Sequence, residues 1–343
     1  MKIAVITDTH FGARKGSDMI LESQLRFFRN QFIPELRSAG ITNILHLGDF
    51  FDNRVHINSK ILNTTVKLLS EEMADFQIYI MVGNHDSYFE STIDVNSIEP
   101  LSLISNVHIV KTITQMEFDS RKFVMVPWIV NEETAKAEIE KIEADVCVGH
   151  FELKSFDMFK NKICENGFDY QYFLNKFKLT LSGHFHTRSM RELNSHRIHY
   201  IGNAYHLTRN DIGDERGYAV LDTETLDLTL IDNRESMKFI SLKYPQKVTK
   251  EMISGNTIDV YADYNSVSEE EMLKYISEIE SLGPAQPVTK KLLNSMNYST
   301  TADIQIGSVS DFMNEYIQAL DIENKDKILK MLMSLYDECK TEI

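Results

Sequence analysis

Short apolar runs alternate with stretches of helical periodicity over the first 190 residues of the chain. The runs are rich in β-branched residues and predict buried strands at Ile3–Ile6, Ile44–Leu47, Ile78–Val82, Val146–Val148 and Leu179–Leu181. Further strands are predicted near residues 107–111 and 122–126. Strands that alternate with helices are typical of parallel sheets joined by crossover helices. The pattern therefore predicts an α/β fold.

Apolar residues at three- and four-residue spacing predict three helices in the same region. They span about residues 17–39, 59–74 and 132–144. Ser17 and Asn131 are typical N-cap residues for the first and third helix. Pro34 lies late in the first helix and is expected to kink or split it, because proline lacks an N–H and crowds the preceding turn.

The pattern changes after Arg197 to strands joined by tight connections. Strands are predicted at 198–201, 218–221 and 226–231, which suits the second sheet of a two-sheet α/β sandwich with helices outside. We expect this first domain to cover residues 1–235.

The remaining chain predicts two smaller parts. Residues 236–300 contain two strand patterns and a helix over 269–282 that Ser268 can cap, which indicates a small α+β capping domain. Residues 301–343 contain two short amphipathic helices. Such a helical tail either packs on its own domain or docks a partner helix.

Five polar clusters follow the apolar runs, each where a predicted strand ends. They are Asp8-Thr9-His10, Gly48-Asp49, Gly83-Asn84-His85-Asp86, Gly149-His150 and Gly183-His184-Phe185-His186. Ligands of α/β proteins bind where loops from the carboxyl ends of neighbouring strands converge. We therefore expect the five clusters to build one site. The glycines are expected to allow tight turns with unusual dihedral angles.

The side chains of these clusters match what two divalent cations require. A pair of cations about 3.5–4 Å apart needs a bridging carboxylate, further carboxylates or imidazoles, and open positions for water and substrate. The seven predicted ligands are Asp8, His10, Asp49, Asn84, His150, His184 and His186. Asp49 is the expected bridge. His85 is the expected proton donor to the leaving oxygen, with its ring oriented by Asp86. Each dipeptide alone is common, but their joint occurrence at strand ends indicates a phosphoester hydrolase.

Charge, hydropathy and cysteine content indicate what the protein binds and where in the cell it works. The chain has 343 residues and a formal net charge of −15, which disfavours nonspecific nucleic-acid binding by the whole surface. No apolar stretch approaches the roughly 20 residues that span a bilayer, and a first strand at Lys2 leaves no room for a signal peptide. Three dispersed cysteines argue against disulfides or a zinc ribbon. We expect a cytoplasmic protein.

The order D-x-H, G-D, G-N-H-D, G-H, G-H-x-H resembles that of the calcineurin-like metallophosphoesterases over about residues 1–235. The resemblance implies that one metal is held by Asp8, His10, Asp49 and His186, and the other by Asp49, Asn84, His150 and His184. It also implies that His85, paired with Asp86, is the catalytic histidine. Manganese is expected, with magnesium as the alternative, since such ligands alone do not choose among manganese, iron, zinc and magnesium.

The segment Gly48-Asp49-Phe50-Phe51-Asp52 is similar to the SbcD-type nucleases, the catalytic partners of coiled-coil ATPases in double-strand-break repair. The length and overall sequence resemble the form carried by T-even-type phages, the nuclease subunit of their recombination complex. This resemblance implies an exonuclease and endonuclease on DNA in the host cytoplasm. It further implies a homodimer formed by helices near 59–74 and 91–105, and an ATPase docked on the C-terminal helices near 310–338.

Two departures from that branch concern the balance of exonuclease and endonuclease activity. Some relatives carry a histidine where this chain has Asp52, and Asn203-Ala204-Tyr205 replaces a turn with proline. Two other functions stay open from the residues. One is a phosphoesterase acting on phosphoproteins or small phosphoesters, and the other is a binding scaffold with an inactive metal site.

Overall fold

The computed structural model describes residues 1–159, 162–263, 267–293, 317, 325 and 327–332. In chain order the strands are β1 (Lys2–Ile6), β2 (Asn43–His46), β3 (Gln77–Met81), β4 (Val107–Val110), β5 (Thr114–Phe118), β6 (Arg121–Val126), β7 (Val146–His150), β8 (Asp157–Phe159), β9 (Lys162–Ile163), β10 (Leu179–Gly183), β11 (Ser189–Leu193), β12 (His196–Tyr200), β13 (Gly217–Asp222), β14 (Leu228–Asp232), β15 (Phe239–Lys243), β16 (Thr257–Asp263) and β17 (Thr289–Leu293). The α-helices are Ala13–Gly16, Asp18–Phe27, Ile33–Ser38, Ser59–Lys67, Glu132–Ile139, Tyr170–Lys176, Lys250–Ile253 and Glu269–Glu280.

The fold contains two six-stranded sheets with similar strand arrangements. The first has the order β14-β13-β1-β2-β3-β4 and the second the order β11-β12-β10-β7-β6-β5. In both sheets four neighbouring strands are parallel, and antiparallel strands complete the edges. This arrangement confirms the predicted two-sheet α/β sandwich.

The continuous apolar runs are explained by burial of both faces of each sheet. In β1, Ile3 and Val5 belong to a core shared by the two sheets, whereas Ala4 and Ile6 face a second core that includes the helices. Successive residues of a strand point to opposite faces, so a strand covered on both faces must be apolar at every position. The runs therefore mark the central strands.

One strand assignment was wrong. The three strands predicted after Arg197 do not all join the second sheet, because only β12 does, while β13 and β14 extend the first. β13 pairs antiparallel with β1, placing Leu221 opposite Ile3 and Ala219 opposite Val5. Both β13 residues contribute to the core between the sheets. Apolar periodicity shows that a strand is half buried but not which distant strand it pairs with.

The first predicted helix is present and contains an irregular turn before its proline. An α-helix over Asp18–Phe27 continues as a π-helix over Phe28–Phe32 and then as an α-helix over Ile33–Ser38. A wider turn is a known way to accommodate a missing N–H and the ring of Pro34. The Ser17 side chain makes no capping hydrogen bond, contrary to the prediction.

The other predicted helices begin where expected and end early. The second helix covers Ser59–Lys67 with a π-helical turn to Glu72, and the third covers Glu132–Ile139 after a capping bond from Asn131. The region 91–105, expected to supply a dimer helix, contains only a 3₁₀-helix over Glu99–Leu103. Pro100 lacks an N–H, and the segment before it forms bends and turns.

The small unit after β14 has a sheet of its own. Strands β15, β16 and β17 are parallel, and β17 was not predicted. The helix Glu269–Glu280 begins with a reciprocal capping box between Ser268 and Glu271 and packs Met272 and Ile279 into a separate core. The helical tail predicted for 301–343 lies outside the described residues, apart from 317, 325 and 327–332.

Candidate metal centre

The five polar clusters lie at carboxyl ends of parallel strands. β1, β2 and β3 are consecutive neighbours in the first sheet, and β7 and β10 are neighbours in the second. Parallel neighbours end at the same edge of a sheet. The strand ends of the two sheets bring the seven predicted ligands together.

Several of the predicted ligands have a left-handed backbone conformation. Asp8, His10, Asp49 and His184 have φ values of 50°, 42°, 55° and 86°. Such values are uncommon outside glycine and cost free energy that the surrounding structure must offset. Their concentration at one place marks the strand ends as a functional site.

The glycines of the clusters serve two different purposes. Gly48 has a φ of 107°, as predicted. Gly83 and Gly183 are needed instead for close approach, because a Cβ would lie 2.2 Å from Asp49 Oδ1 and 2.1 Å from Thr7 Oγ1 respectively. The unusual dihedral angle predicted for each glycine is therefore confirmed only at Gly48.

The first group of ligands consists of Asp8, His10 and His186. The two Nε2 atoms lie 3.1 Å apart, and Asp8 Oδ1 is 3.9 Å from that of His10 and 3.8 Å from that of His186. Asp8 is held by the hydroxyl of Thr7 at 2.7 Å and by the backbone N–H of His184. The three ligand atoms lie within 4.8 Å of one another, which is close enough to share one cation.

The second group consists of Asp49, Asn84, His150 and His184. The amide oxygen of Asn84 lies 2.9 Å from His150 Nε2 and 3.0 Å from His184 Nδ1. His150 donates from Nδ1 to the carbonyl oxygen of Leu47 at 2.8 Å, which leaves Nε2 directed at the group. A backbone partner of this kind fixes the tautomer of a ligating histidine.

Asp49 lies between the two groups. Its Oδ2 is 3.3 Å from His150 Nε2 and 3.8 Å from His10 Nε2. The other oxygen accepts the backbone N–H of His85 at 2.8 Å, which orients the carboxylate. One oxygen within reach of both groups is the geometry that a bridging ligand requires.

His85 stands beside the first group without belonging to it. Its ring centroid is 4.9 Å from that of His10 and its side chain is partly exposed. Nδ1 donates to the backbone carbonyl oxygen of Asp52 at 2.8 Å. Because a carbonyl only accepts, this bond places a proton on Nδ1 and leaves Nε2 outside the bond.

The predicted pairing of Asp86 with His85 was wrong. The buried Asp86 carboxylate accepts the backbone N–H groups of Phe50 and Phe51 at 3.1 Å each and of Gly83 at 3.0 Å. These donors belong to the loops that carry Asp49 and Asn84. Adjacent residues of a turn point in different directions, so proximity in sequence did not imply contact. Asp86 positions the ligand loops.

Asp52 has a role that the sequence did not reveal. Its Oδ1 lies 3.5 Å from His10 Nδ1, the nitrogen on the far side of the ring from the ligand group. A carboxylate behind a ligating imidazole orients the ring and raises its basicity. Through its backbone oxygen the same residue orients His85. The signal available was an acidic residue three positions after Asp49.

Further buried residues hold the loop after β1, and sequence reasoning missed them. The side-chain amide of Gln24 donates to the carbonyl oxygens of Thr9 and His10, and Tyr205 donates its hydroxyl to the Thr9 carbonyl at 2.6 Å. His46 Nε2 lies 2.9 Å from the Thr9 hydroxyl. A histidine inside the apolar run of β2 was the only signal for this layer.

The electrostatics of the site favour cation binding. Burial alone would raise the pKa of Asp49, but His150 and His10 hold it well below its usual value. Burial opposes protonation of His150, but the Asp49 charge raises its pKa to about 9. Burial, reinforced by His150, lowers the pKa of His184 to about 3, so this imidazole keeps a free lone pair. The Asp49 carboxylate therefore holds a negative charge in a buried place, whereas burial raises the pKa of Asp8.

The donor set fits two divalent cations of intermediate hardness. Carboxylate, amide and imidazole atoms are present, without thiolates, and this mixture is typical of manganese, iron and zinc sites. His10 and His150 each have a partner on the nitrogen that faces away from the group. These contacts orient the two imidazole rings toward the positions that the cations would occupy.

Comparisons with known proteins agree with this site. Residues 1–188, more than half of the chain, match the model of a family described as calcineurin-like phosphoesterase. Over 345 aligned residues the chain is 29% identical to exonuclease subunit 1 of Enterobacteria phage T4, covering 98% of this chain and 99% of that protein.

Two solved structures show a weaker likeness. A novel archaeal phosphodiesterase is 16% identical with a TM-score of 0.39, and the protein TT1561 of Thermus thermophilus is 15% identical with a TM-score of 0.41. Each match covers 68% of this chain and 99% of the other. Likenesses of that degree say nothing about chemistry. In the part of the chain that the structure describes, no helix is long and apolar enough to cross a bilayer.

Proposed function

The chain belongs to the calcineurin-like phosphoesterase family, and from this premise we propose that it is a two-metal DNA nuclease. The reaction is hydrolysis of phosphodiester bonds, with exonuclease and endonuclease activity. The observation that carries the proposal is the convergence of the seven predicted ligands with a further histidine, His85, beside them. The near full-length similarity to a protein named exonuclease subunit 1 supports DNA as the substrate.

The donor geometry supports two cation positions. Asp8, His10 and His186 would hold one, Asn84, His150 and His184 the other, and Asp49 both. We propose manganese, with magnesium as the alternative. Bound cations of this kind lower the pKa of water and neutralise charge that develops on a phosphate.

His85 would act as the general acid. Its Nδ1 is committed to the Asp52 carbonyl, and its own backbone N–H is committed to Asp49. The ring is therefore fixed relative to the bridging carboxylate. Nε2 would deliver a proton to the leaving oxygen of the phosphodiester, a contribution typically of about 10²–10⁴ in rate.

A cavity lined by Asp52, whose backbone carbonyl holds the His85 ring, suits the DNA strand that continues from the scissile phosphate. It has a volume of about 350 Å³ and its lining includes Lys15, Asp52, Asn53 and His56. Lysine and amide side chains are typical contacts for phosphate oxygens. A local cation at this position would offset the repulsion expected from the overall charge of −15.

We propose that the nuclease works as the subunit of a larger complex. A coiled-coil ATPase of the SbcC type would dock on the helices that the sequence predicts for residues 301–343, and two copies of the chain would form a homodimer across one duplex. Such a complex would act in DNA recombination and double-strand-break repair. The name of the T4 relative, a subunit, supports the partner.

The test is an assay of substrate class. Purified protein is incubated with manganese or magnesium and with linear DNA, a phosphopeptide or a cyclic nucleotide, alone and with the ATPase. Cleavage of DNA that is lost in Asp49→Asn supports the proposal, since that variant controls for contaminating nucleases. Turnover of a phosphopeptide or cyclic nucleotide without DNA cleavage under any condition would show a phosphoesterase of the alternative class.

A further inference from the structure

The chain's single tryptophan, Trp128, lies beside His150 and His184 of the second ligand group. It follows β6 of the second sheet, and its backbone N–H donates at 2.8 Å to Val82, which directly follows β3 of the first sheet. This bond joins the ends of the two sheets at the site. The position of the indole is therefore set by both sheets.

The indole ring covers the second ligand group without being buried. Its centroid lies 5.0 Å from that of His184 and 5.8 Å from that of His150, with interplanar angles of 46° and 66°. The residue is only partly exposed, and the neighbouring Val130 is 41% exposed. An aromatic ring that stays in contact with solvent beside the ligands can receive a further planar group.

Trp128 lines two cavities that open beside the ligands. One, of about 410 Å³, has apolar walls from Ile113, Pro127 and Ile129 and hydrogen-bonding groups from Thr112 and Thr134. The other, of about 200 Å³, includes His150 in its lining. Apolar walls with a few polar groups, at a volume near 400 Å³, are typical of a site for a small organic ligand.

The charges around the larger cavity select against a phosphate. Asp94 and Glu138 contribute to its lining, and the one lysine there, Lys111, is paired with Glu99 at 2.8 Å. The cavity that Asp52 lines differs in that its walls also include Lys15 and the amide side chains of Asn53 and Asn58. A nucleotide has both a charged backbone and an uncharged planar base, so the two cavities suit its two parts.

We propose that Trp128 is a positioning residue that stacks the base of a nucleotide next to the scissile phosphate. The proposal rests on the proposed nuclease function and adds the site that holds the base. Stacking on an aromatic ring tolerates every base, because each has a π-face. A base held there fixes the sugar, and with it the phosphate, relative to the two ligand groups.

The main test combines removal of the ring with removal of the base. Trp128→Leu keeps an apolar side chain without a π-face, and Trp128→Phe keeps a ring. Substrates are DNA ends that carry an intact or an abasic nucleotide on either side of the cleaved bond. We expect Trp128→Leu to lose roughly 10- to 100-fold in kcat/KM on intact DNA, mostly through KM, and Trp128→Phe about threefold.

The abasic substrate separates positioning from simple support of the ligands. At one of the two positions the wild type should lose a similar 10- to 100-fold, and Trp128→Leu should lose nothing further, because the two changes remove the same contact. Equal losses by Trp128→Leu on intact and abasic DNA would overturn the proposal. So would a drop of more than about tenfold in manganese affinity. Leu230→Ala, which alters an exposed apolar residue of β14, is the matched control.

Tryptophan fluorescence gives a readout that does not need catalysis. With magnesium present, a deoxynucleoside 5′-monophosphate should quench the single tryptophan, and deoxyribose 5-phosphate should not, since it lacks the base. Equal quenching by both, or by neither, would overturn the base site. If no DNA is cleaved under any condition, the proposed nuclease function fails, whereas this fluorescence comparison still decides whether Trp128 contacts a base.

Discussion

The contacts of Asp86 lead to a prediction that separates support of the ligand loops from catalysis. Its carboxylate accepts three backbone N–H groups, from Phe50, Phe51 and Gly83. In Asp86→Asn the amide oxygen can keep two of them, but the NH₂ group faces the third donor. Burial, with the Asp49 charge, raises the pKa of Asp86 to about 7, so the carboxyl group carries its charge above that pH. There a hydrogen bond to a charged group contributes about 1.5–3 kcal/mol, and an unsatisfied buried donor costs about 1–3 kcal/mol.

We therefore expect Asp86→Asn to lose about 2–4 kcal/mol in the free energy of unfolding. Asp86→Ala, which leaves three donors without acceptors, should lose about 3–5 kcal/mol. The loss is large beside the roughly 5–15 kcal/mol typical of a folded domain. Urea denaturation followed by circular dichroism measures it, with unchanged m-value as the check that only stability changed.

Activity measurements distinguish this role from the orientation of His85. If Asp86 only supports the loops, folded Asp86→Asn binds metal more weakly, and its turnover recovers at saturating metal. If Asp86 acts through His85, turnover falls at every metal concentration, and adding His85→Ala causes no further loss. Unchanged stability together with that non-additive loss would refute the reasoning from the hydrogen bonds.

The remaining predictions concern other contacts of the molecule. His85→Ala should keep its metal, measured by calorimetric titration, and lose about 10²–10⁴ in turnover; loss of metal would make it a ligand. Asp52→Asn should weaken metal binding by about 10- to 100-fold, because His10 loses its charged partner, while turnover at saturating metal stays within a fewfold. Asp259 Oδ2 lies 2.8 Å from Arg209 Nε and 2.7 Å from Lys291 Nζ, and both cations are partly exposed. Asp259→Ala removes these ion pairs and should lower the free energy of unfolding in urea by about 1–3 kcal/mol, whereas no change would show that solvent screens them. Removal of residues from 305 onward should abolish co-purification with the ATPase at unchanged metal content, and retained binding would place the interface elsewhere.

The local pattern was enough to predict most elements and to predict that the seven candidate ligands would lie together. Asp8 and Asn84 are 76 positions apart, yet each follows an apolar run, and parallel strands end at one edge. Because that rule needs only strand ends and their direction, it brought the ligands together without knowledge of the sheet order. The helix that Asn131 caps was likewise predicted from a local hydrogen bond.

The sequence predicted the orientation of the side chains around the ligands less well. Asp86 was expected to hold the neighbouring ring, and it binds Phe50 and Phe51 instead, 36 and 35 positions away. Asp52 was noted only as a departure from relatives, although it contacts both His10 and His85. The order of residues within a turn does not show in which direction each side chain points.

By itself, the sequence determined where strands end and which chemical groups stand at those ends, because both depend on periodicity and residue type within a few positions. Tertiary structure alone decided that β13 and β14 complete the first sheet, that Asp49 reaches both ligand groups, and that Trp128 covers His184. These facts depend on contacts between segments far apart in the chain. Such contacts are chosen by the packing of the whole fold, which no local pattern contains.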